Sequence, residues 1–179
     1  MAKLITGMEL SLDGFYEDAN GRGPGGESLA GTDYMRDMIA QTGAVIMGRK
    51  TFEMADDPDL YVGNYEFQVP IFVLTSNPPA NAPKQDENLT FTFVTDGLES
   101  AVRQAKAAAG NKDVQAVGGI QVIHDLLRTR LADELHINIL PVLLGSGRAL
   151  FSDLGRVDLE KIDAREIGSR TCLRFRVRR

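Results

Sequence analysis

Three short segments carry side chains and backbone that could hold a polyanion. Gly48-Arg49-Lys50-Thr51 follows an apolar run at 44–47 and sets two cations and a hydroxyl where a strand would give way to a helix. Arginine offers a planar fork of donors and lysine a point charge, a combination suited to phosphate. Leu74-Thr75-Ser76-Asn77 closes a second apolar run at 71–75 ahead of Pro78, delivering three polar side chains that could bond a ribose or a phosphate. In Val117-Gly118-Gly119-Ile120-Gln121 a third run, 114–117, passes through two glycines straight into a helical stretch. The unpaired N–H groups of that helix start would converge where the backbone lets an anion approach closely. Each segment also has a plain reading, as a solvated basic turn, Ser-Asn-Pro turn chemistry or a tight Gly-Gly connection. The spacing is neither the G-x-G-x-x-G dinucleotide fingerprint nor a P-loop.

The elements that must position these segments follow from hydrophobic patterning. Short runs rich in Val, Ile, Leu and Phe at 4–10, 44–47, 71–75, 90–94, 114–117 and 134–140 read as strands. They alternate with helical stretches at 32–41, 97–109 and 120–129, the first with Tyr34, Met35, Met38 and Ile39 on one side. The pattern predicts a single α/β domain over 1–179: a three-layer sandwich with a mostly parallel central sheet. Two further runs, 161–167 and 171–177, flank Gly168-Ser169 and predict a C-terminal antiparallel hairpin. In open sheets of this kind ligands settle outside the carboxyl ends of the strands, so anion-binding features at three such ends suit one extended, phosphate-bearing cofactor. Five glycines and one proline between Glu17 and Gly31 make a long loop, expected as a lid.

Composition excludes several other classes. The chain has 179 residues, 43% hydrophobic and 25% charged, within the ordinary globular range. A net charge of −5 argues against nucleic-acid binding, which needs a basic surface. The local exception is the end of the chain, where Arg174, Arg176 and Arg178 alternate with Leu173, Phe175 and Val177 as the wet face of a half-buried strand. No apolar run approaches the ~20 residues of a membrane span, and the lone Cys172 closes no internal disulfide, so a cytoplasmic location is expected. One Cys and two His, His124 and His136, make neither a metal ligand set nor a Ser-His-Asp arrangement. No metal is expected.

The ordered set VIMGRKTFE, IFVLTSN and VQAVGGIQVIHDLL resembles the dihydrofolate reductase fold. SLDG and LPVLLGSGRALF resemble its relative, the reductase (RibD C-terminal) domain of bacterial riboflavin biosynthesis, which acts on a ribosylaminopyrimidine. The resemblance implies NADPH as cofactor, with Gly48, Arg49, Lys50 and Thr51 on its adenosine-side phosphates. Leu74, Thr75, Ser76 and Asn77 would border the adenine ribose and its 2′-phosphate. Val117, Gly118, Gly119, Ile120 and Gln121 would lie against the pyrophosphate, the glycine pair being cis in that family. Ser11, Asp13 and Gly14 would line the substrate side, Asp13 bonding a substrate or relaying a proton, or else capping a turn. Leu144 and Gly145 match a turn near the substrate ribose; counting back from VIMGRK, the acidic position that dihydrofolate reductases carry on their first helix falls on Thr32 or Asp33, so Asp33 and the adjoining Tyr34 are expected at the substrate. Expected, then, is an NADPH-dependent oxidoreductase acting on a small heterocyclic, ribosylaminopyrimidine or pterin-like molecule, as a homodimer with no nucleic-acid or membrane partner. The alternative is a non-catalytic nucleotide-binding or sensor protein on the same scaffold.

Overall fold

The computed structural model describes residues 2–178. Its elements are β1 (Leu4–Ser11), β2 (Phe15–Glu17), α1 (Asp33–Gln41), β3 (Thr42–Gly48), α2 (Arg49–Phe52), a 3-10 turn (Pro58–Leu60), α3 (Tyr61–Asn64), β4 (Ile71–Leu74), β5 (Phe91–Val94), α4 (Leu98–Ala109), β6 (Asp113–Ala116), α5 (Ile120–Arg128), β7 (Glu134–Leu140), β8 (Arg148–Ala149), β9 (Leu159–Ile167) and β10 (Arg170–Val177). Eight strands form one sheet in the order β5-β4-β3-β6-β1-β7-β10-β9. The first six run parallel, β10 runs antiparallel to β7, and β9 pairs antiparallel with β10. The expected sandwich with its C-terminal hairpin is thus the observed architecture.

Strand alternation splits the core into two layers. On β3, Ala44 and Ile46 pack with Val102, Ala105, Ile123 and Leu126 of α4 and α5. Val45 and Met47 turn the other way, into an aromatic cluster of Phe52, Tyr61, Phe67 and Phe91, against which Met35, Met38 and Ile39 of α1 pack. Thr32 caps α1, its hydroxyl accepting the Met35 N–H at 3.2 Å.

Two features depart from the sequence reading. The glycine-rich tract opens on a short strand: β2 pairs with β8 in a separate two-stranded sheet that ties residues 15–17 to the 148–149 segment. The arginine face of β10 is only partly wet, because Arg170 is 3% exposed and the Arg174 guanidinium lies 5.3 Å from the centre of the Tyr34 ring. The cause is α1, which packs its one fully buried residue, Tyr34, over that face.

Candidate active site

Because β1, β3, β4, β6 and β7 are parallel, all of their carboxyl ends share one rim of the sheet. Register fixes the neighbours: Gly48 pairs with Leu74 across β3 and β4, Ile46 with Ala116 across β3 and β6, and Ser11 with Leu140 across β1 and β7. The segments singled out by sequence therefore emerge side by side.

At the centre of the rim two backbones nearly touch. The Gly48 N–H donates to the Gly118 carbonyl at 3.1 Å, and a Cβ on Gly119 would stand 3.1 Å from the Gly48 Cα. A Cβ on Gly118 would meet the Thr51 hydroxyl at 2.9 Å. Gly119 has φ +83°, a conformation open to glycine at no steric cost. The Gly118–Gly119 peptide bond is trans, as are all others among the described residues, which departs from the cis pair that the resemblance implied. Gly119 is also the N-cap of α5 and supplies no side chain, so the first-turn N–H groups of Ile120 and Gln121 have no side-chain cap. Gln121 itself bonds Asp125 one turn along at 2.8 Å, while Val117 anchors the approach through its N–H to the Ile46 carbonyl at 3.0 Å.

Beside this approach lies a cleft of 360 Å³ lined by Arg49, Phe52, Glu53, Val73, Thr75, Asn77, Pro78, Pro79, Ala80 and Phe93. It joins the first two polyanion segments, but not every member plays the part expected of it. Arg49 pairs with Glu53 at 2.5 Å, both side chains about half exposed. The Thr75 hydroxyl accepts from the Asn77 N–H at 3.1 Å and donates to the Asn77 carbonyl, closing its own turn. Ser76 and Lys50 are exposed outside the lining. Glu53 was not singled out by sequence, although its place four residues after Arg49 on a helix was a readable signal.

On the β1–β7 side, Asp13 does one definite thing. Its carboxylate accepts the N–H groups of Leu144 at 3.1 Å and Gly145 at 2.7 Å, joining two loops 131 residues apart. A hydrogen bond from Ser11 and these two backbone donors hold its pKa below the usual carboxylate value. The Ser11 hydroxyl also accepts from the Phe15 N–H at 3.0 Å, across a turn in which Gly14 has φ +87°. Asp33 is 89% exposed and pairs with Arg36, so its carboxylate is turned away from these groups, while Tyr34 is buried against the sheet. His124 bonds the Leu150 carbonyl and Cys172 is buried in β10, packing roles for both. Among the described residues no group of three or more His, Cys, Asp and Glu is placed to hold a metal ion.

A family model described as the RibD C-terminal domain matches residues 2–173. The chain belongs to the RibD C-terminal domain family. Its relatives include the uncharacterized protein YyaP of Bacillus subtilis (strain 168), 27% identical over 93% of this chain and 90% of YyaP. Among solved structures, a provisionally named riboflavin biosynthesis protein of Shewanella sp. PV-4 superposes with a TM-score of 0.75 at 22% identity, covering 100% of both chains. The Saccharomyces riboflavin biosynthesis reductase Rib7 does so with a TM-score of 0.64 at 17% identity, over 100% of this chain and 90% of Rib7. At these identities the two structures establish the fold of this RibD C-terminal domain protein.

Proposed function

We propose that this protein is a nicotinamide-dependent reductase, using NADPH to reduce a small nitrogen heterocycle of the ribosylaminopyrimidine or pterin kind. The observation that carries the proposal is the glycine contact at the rim. Gly48, Gly118 and Gly119 let two backbones meet where any Cβ would collide, directly before a helix start with no side-chain cap, so bare backbone N–H groups are left at the rim and suit a pyrophosphate. The neighbouring cleft between Arg49 and Asn77 has the size and donors for the adenosine ribose. The residues present therefore fit the dinucleotide, whose nicotinamide supplies hydride when bound.

The remaining work belongs to the chain. Gly118, Gly119 and the α5 N–H groups bind the pyrophosphate, with Thr51 flanking them, and Arg49 and Lys50 supply cations for the 2′-phosphate. Asp13 keeps the SLDG and Leu144–Gly145 turns in register on the substrate side. Its depressed pKa and its two backbone donors suit a positioning carboxylate better than a proton donor at neutral pH. Membership of a family whose solved relatives include a riboflavin biosynthesis reductase supports the reaction type.

NADPH fluorescence titration followed by a turnover assay across pyrimidine ribosides and pterins tests the reading. Saturable binding with oxidation of NADPH by at least one of these substrates is expected. No binding at millimolar cofactor would end the proposal, and binding without any turnover would leave a nucleotide-binding protein in place of an enzyme.

A further inference from the structure

A cleft distinct from the one at Arg49 lies away from the rim, at the amino ends of β1, β6 and β7 and under α1. It has a volume of about 210 Å³, and Gln115, His136, Arg174 and Tyr34 line it, with Asp37 exposed at its mouth. That is below the roughly 300 Å³ of the smallest usual ligand pockets, so an occupant must be small. Val114 and Ala116 belong to the core beneath α4 and α5, so strand alternation sends Asp113 and Gln115 toward α1. Gln115 is only 8% exposed, and among the described residues its carboxamide forms no hydrogen bond. A buried amide without a partner is exceptional and calls for an explanation where it stands.

Arg174 is a second group of this kind in the same lining. Its guanidinium lies 5.3 Å from the centre of the Tyr34 ring and bonds the Tyr34 hydroxyl, yet its Nε is buried with no hydrogen-bond partner. Register sets Arg174 between His136 of β7 and Asp163 of β9, and neither neutralises it. Burial holds His136 toward its neutral form, and the Asp163 carboxylate accepts from Arg165 at 2.6 Å. Among the described residues Arg174 forms no ion pair. A guanidinium taken from water without a carboxylate is destabilising, and an anion seated on its Nε edge offsets that.

The other charges of the cleft narrow the ligand further. Three cations, Lys3, Arg165 and Arg174, stand against three carboxylates, Asp37, Asp113 and Glu134. Lys3 and Glu134 pair at 2.8 Å, and Asp113 accepts the Lys3 main-chain N–H at 2.9 Å. Asp37, one helical turn after Tyr34 on the same side of α1, forms no ion pair among the described residues. A phosphate would face these carboxylates and a bare amine would face Arg174, whereas a molecule with one charge of each sign leaves the balance undisturbed.

We infer that this cleft binds a small zwitterion, a polar α-amino acid, with its carboxylate on the Nε edge of Arg174, its ammonium toward Asp37 and the polar end of its side chain on Gln115. The site lies at the opposite end of the strands from the proposed cofactor, so it stands whether or not the chain is a reductase.

The probes are L-serine, L-asparagine and L-glutamine, titrated calorimetrically into the full chain without NADPH, with inorganic phosphate as the anion-only control. Saturable binding of at least one amino acid is expected, with none of phosphate and none of the N-acetyl derivative of that amino acid, which lacks the ammonium. Arg174→Gln should weaken the bound probe by about tenfold or more, as should Gln115→Leu, which keeps the bulk and removes the amide. Both variants should keep wild-type affinity for NADPH. Should Arg174→Gln fail to fold, Gln115→Leu and the N-acetyl derivative carry the test. Absence of binding by all three amino acids, equal binding of phosphate or of the N-acetyl derivative, or unchanged affinity in either folded variant would overturn the assignment and leave Arg174 as a packing partner of Tyr34.

Discussion

At the proposed cofactor cleft, Arg49 and Glu53 would pull on an adenosine ribose in opposite directions. A carboxylate at this cleft favours a free 2′-hydroxyl, while a guanidinium favours a 2′-phosphate. With Glu53 taking up part of Arg49, the proposed preference for NADPH would depend on the guanidinium N–H groups left over and on Lys50 next to it. One charge-assisted hydrogen bond at a half-exposed site is worth about 1.5 kcal/mol, roughly tenfold in affinity. Arg49→Ala should therefore weaken NADPH about tenfold and NADH less than threefold in a fluorescence titration; equal losses would place the phosphate elsewhere. At this scale the sequence was legible where a residue type carries its own geometry, as with Gly118, Gly119 and Arg49. It was opaque where a side chain's partner comes from far along the chain. Asp13 could be a proton relay or a turn cap on sequence alone, because the two N–H groups that occupy it lie 131 and 132 residues away. Glu9 offered one readable anomaly, a charge inside an apolar run.

At the amino ends of β1 and β7, opposite the rim, Lys3, Glu134 and His136 form a small polar cluster. Lys3 pairs with Glu134 at 2.8 Å, and His136 donates to the same carboxylate at 2.9 Å. Burial lowers the His136 pKa despite the bond to Glu134, which raises it. Burial would raise the Glu134 pKa, but the hydrogen bonds from Lys3 and His136 outweigh it and the net shift is downward. Both folded pKa values thus lie below their unfolded values, so the unfolded chain binds more protons as pH falls. His136 begins to cost stability as pH drops through about 6.5, and the Glu134 contribution, complete above about 4.3, is lost below that. Calorimetric melting should show Tm falling between pH 7 and 5 in the wild type and a flatter profile over that window in His136→Gln, with the drop at lower pH retained. An unchanged slope between pH 7 and 5 would show that His136 is not buried in its neutral form. The main elements could be read from the sequence because buried parallel strands leave continuous apolar runs and α1 and α5 leave helical stripes. The pairing of β2 with β8 could not, since strands of three and two residues are too short to show a period.

Across the whole molecule the doubly covered sheet gathers distant segments at one rim. Residues 48–51, 74–77 and 117–121 come together because β3 lies between β4 and β6, an arrangement that chain order does not state. The long tract at 17–31 is held at both ends and in its middle, by β8, by Arg36 of α1 on the Gly31 carbonyl and by Arg170 on the Glu27 carbonyl. Among the described residues no helix is long and apolar enough to cross a membrane. The most direct measurement is isothermal titration of NADPH into the wild-type protein and into Gly119→Val. Saturable one-to-one binding is expected in the first and none in the second, measured below the melting temperature of Gly119→Val, which should drop because a β-branched residue at φ +83° is strained and its Cβ meets the Gly48 backbone beside the proposed pyrophosphate site. Wild-type affinity retained by a folded Gly119→Val would contradict the placement of the dinucleotide on this rim.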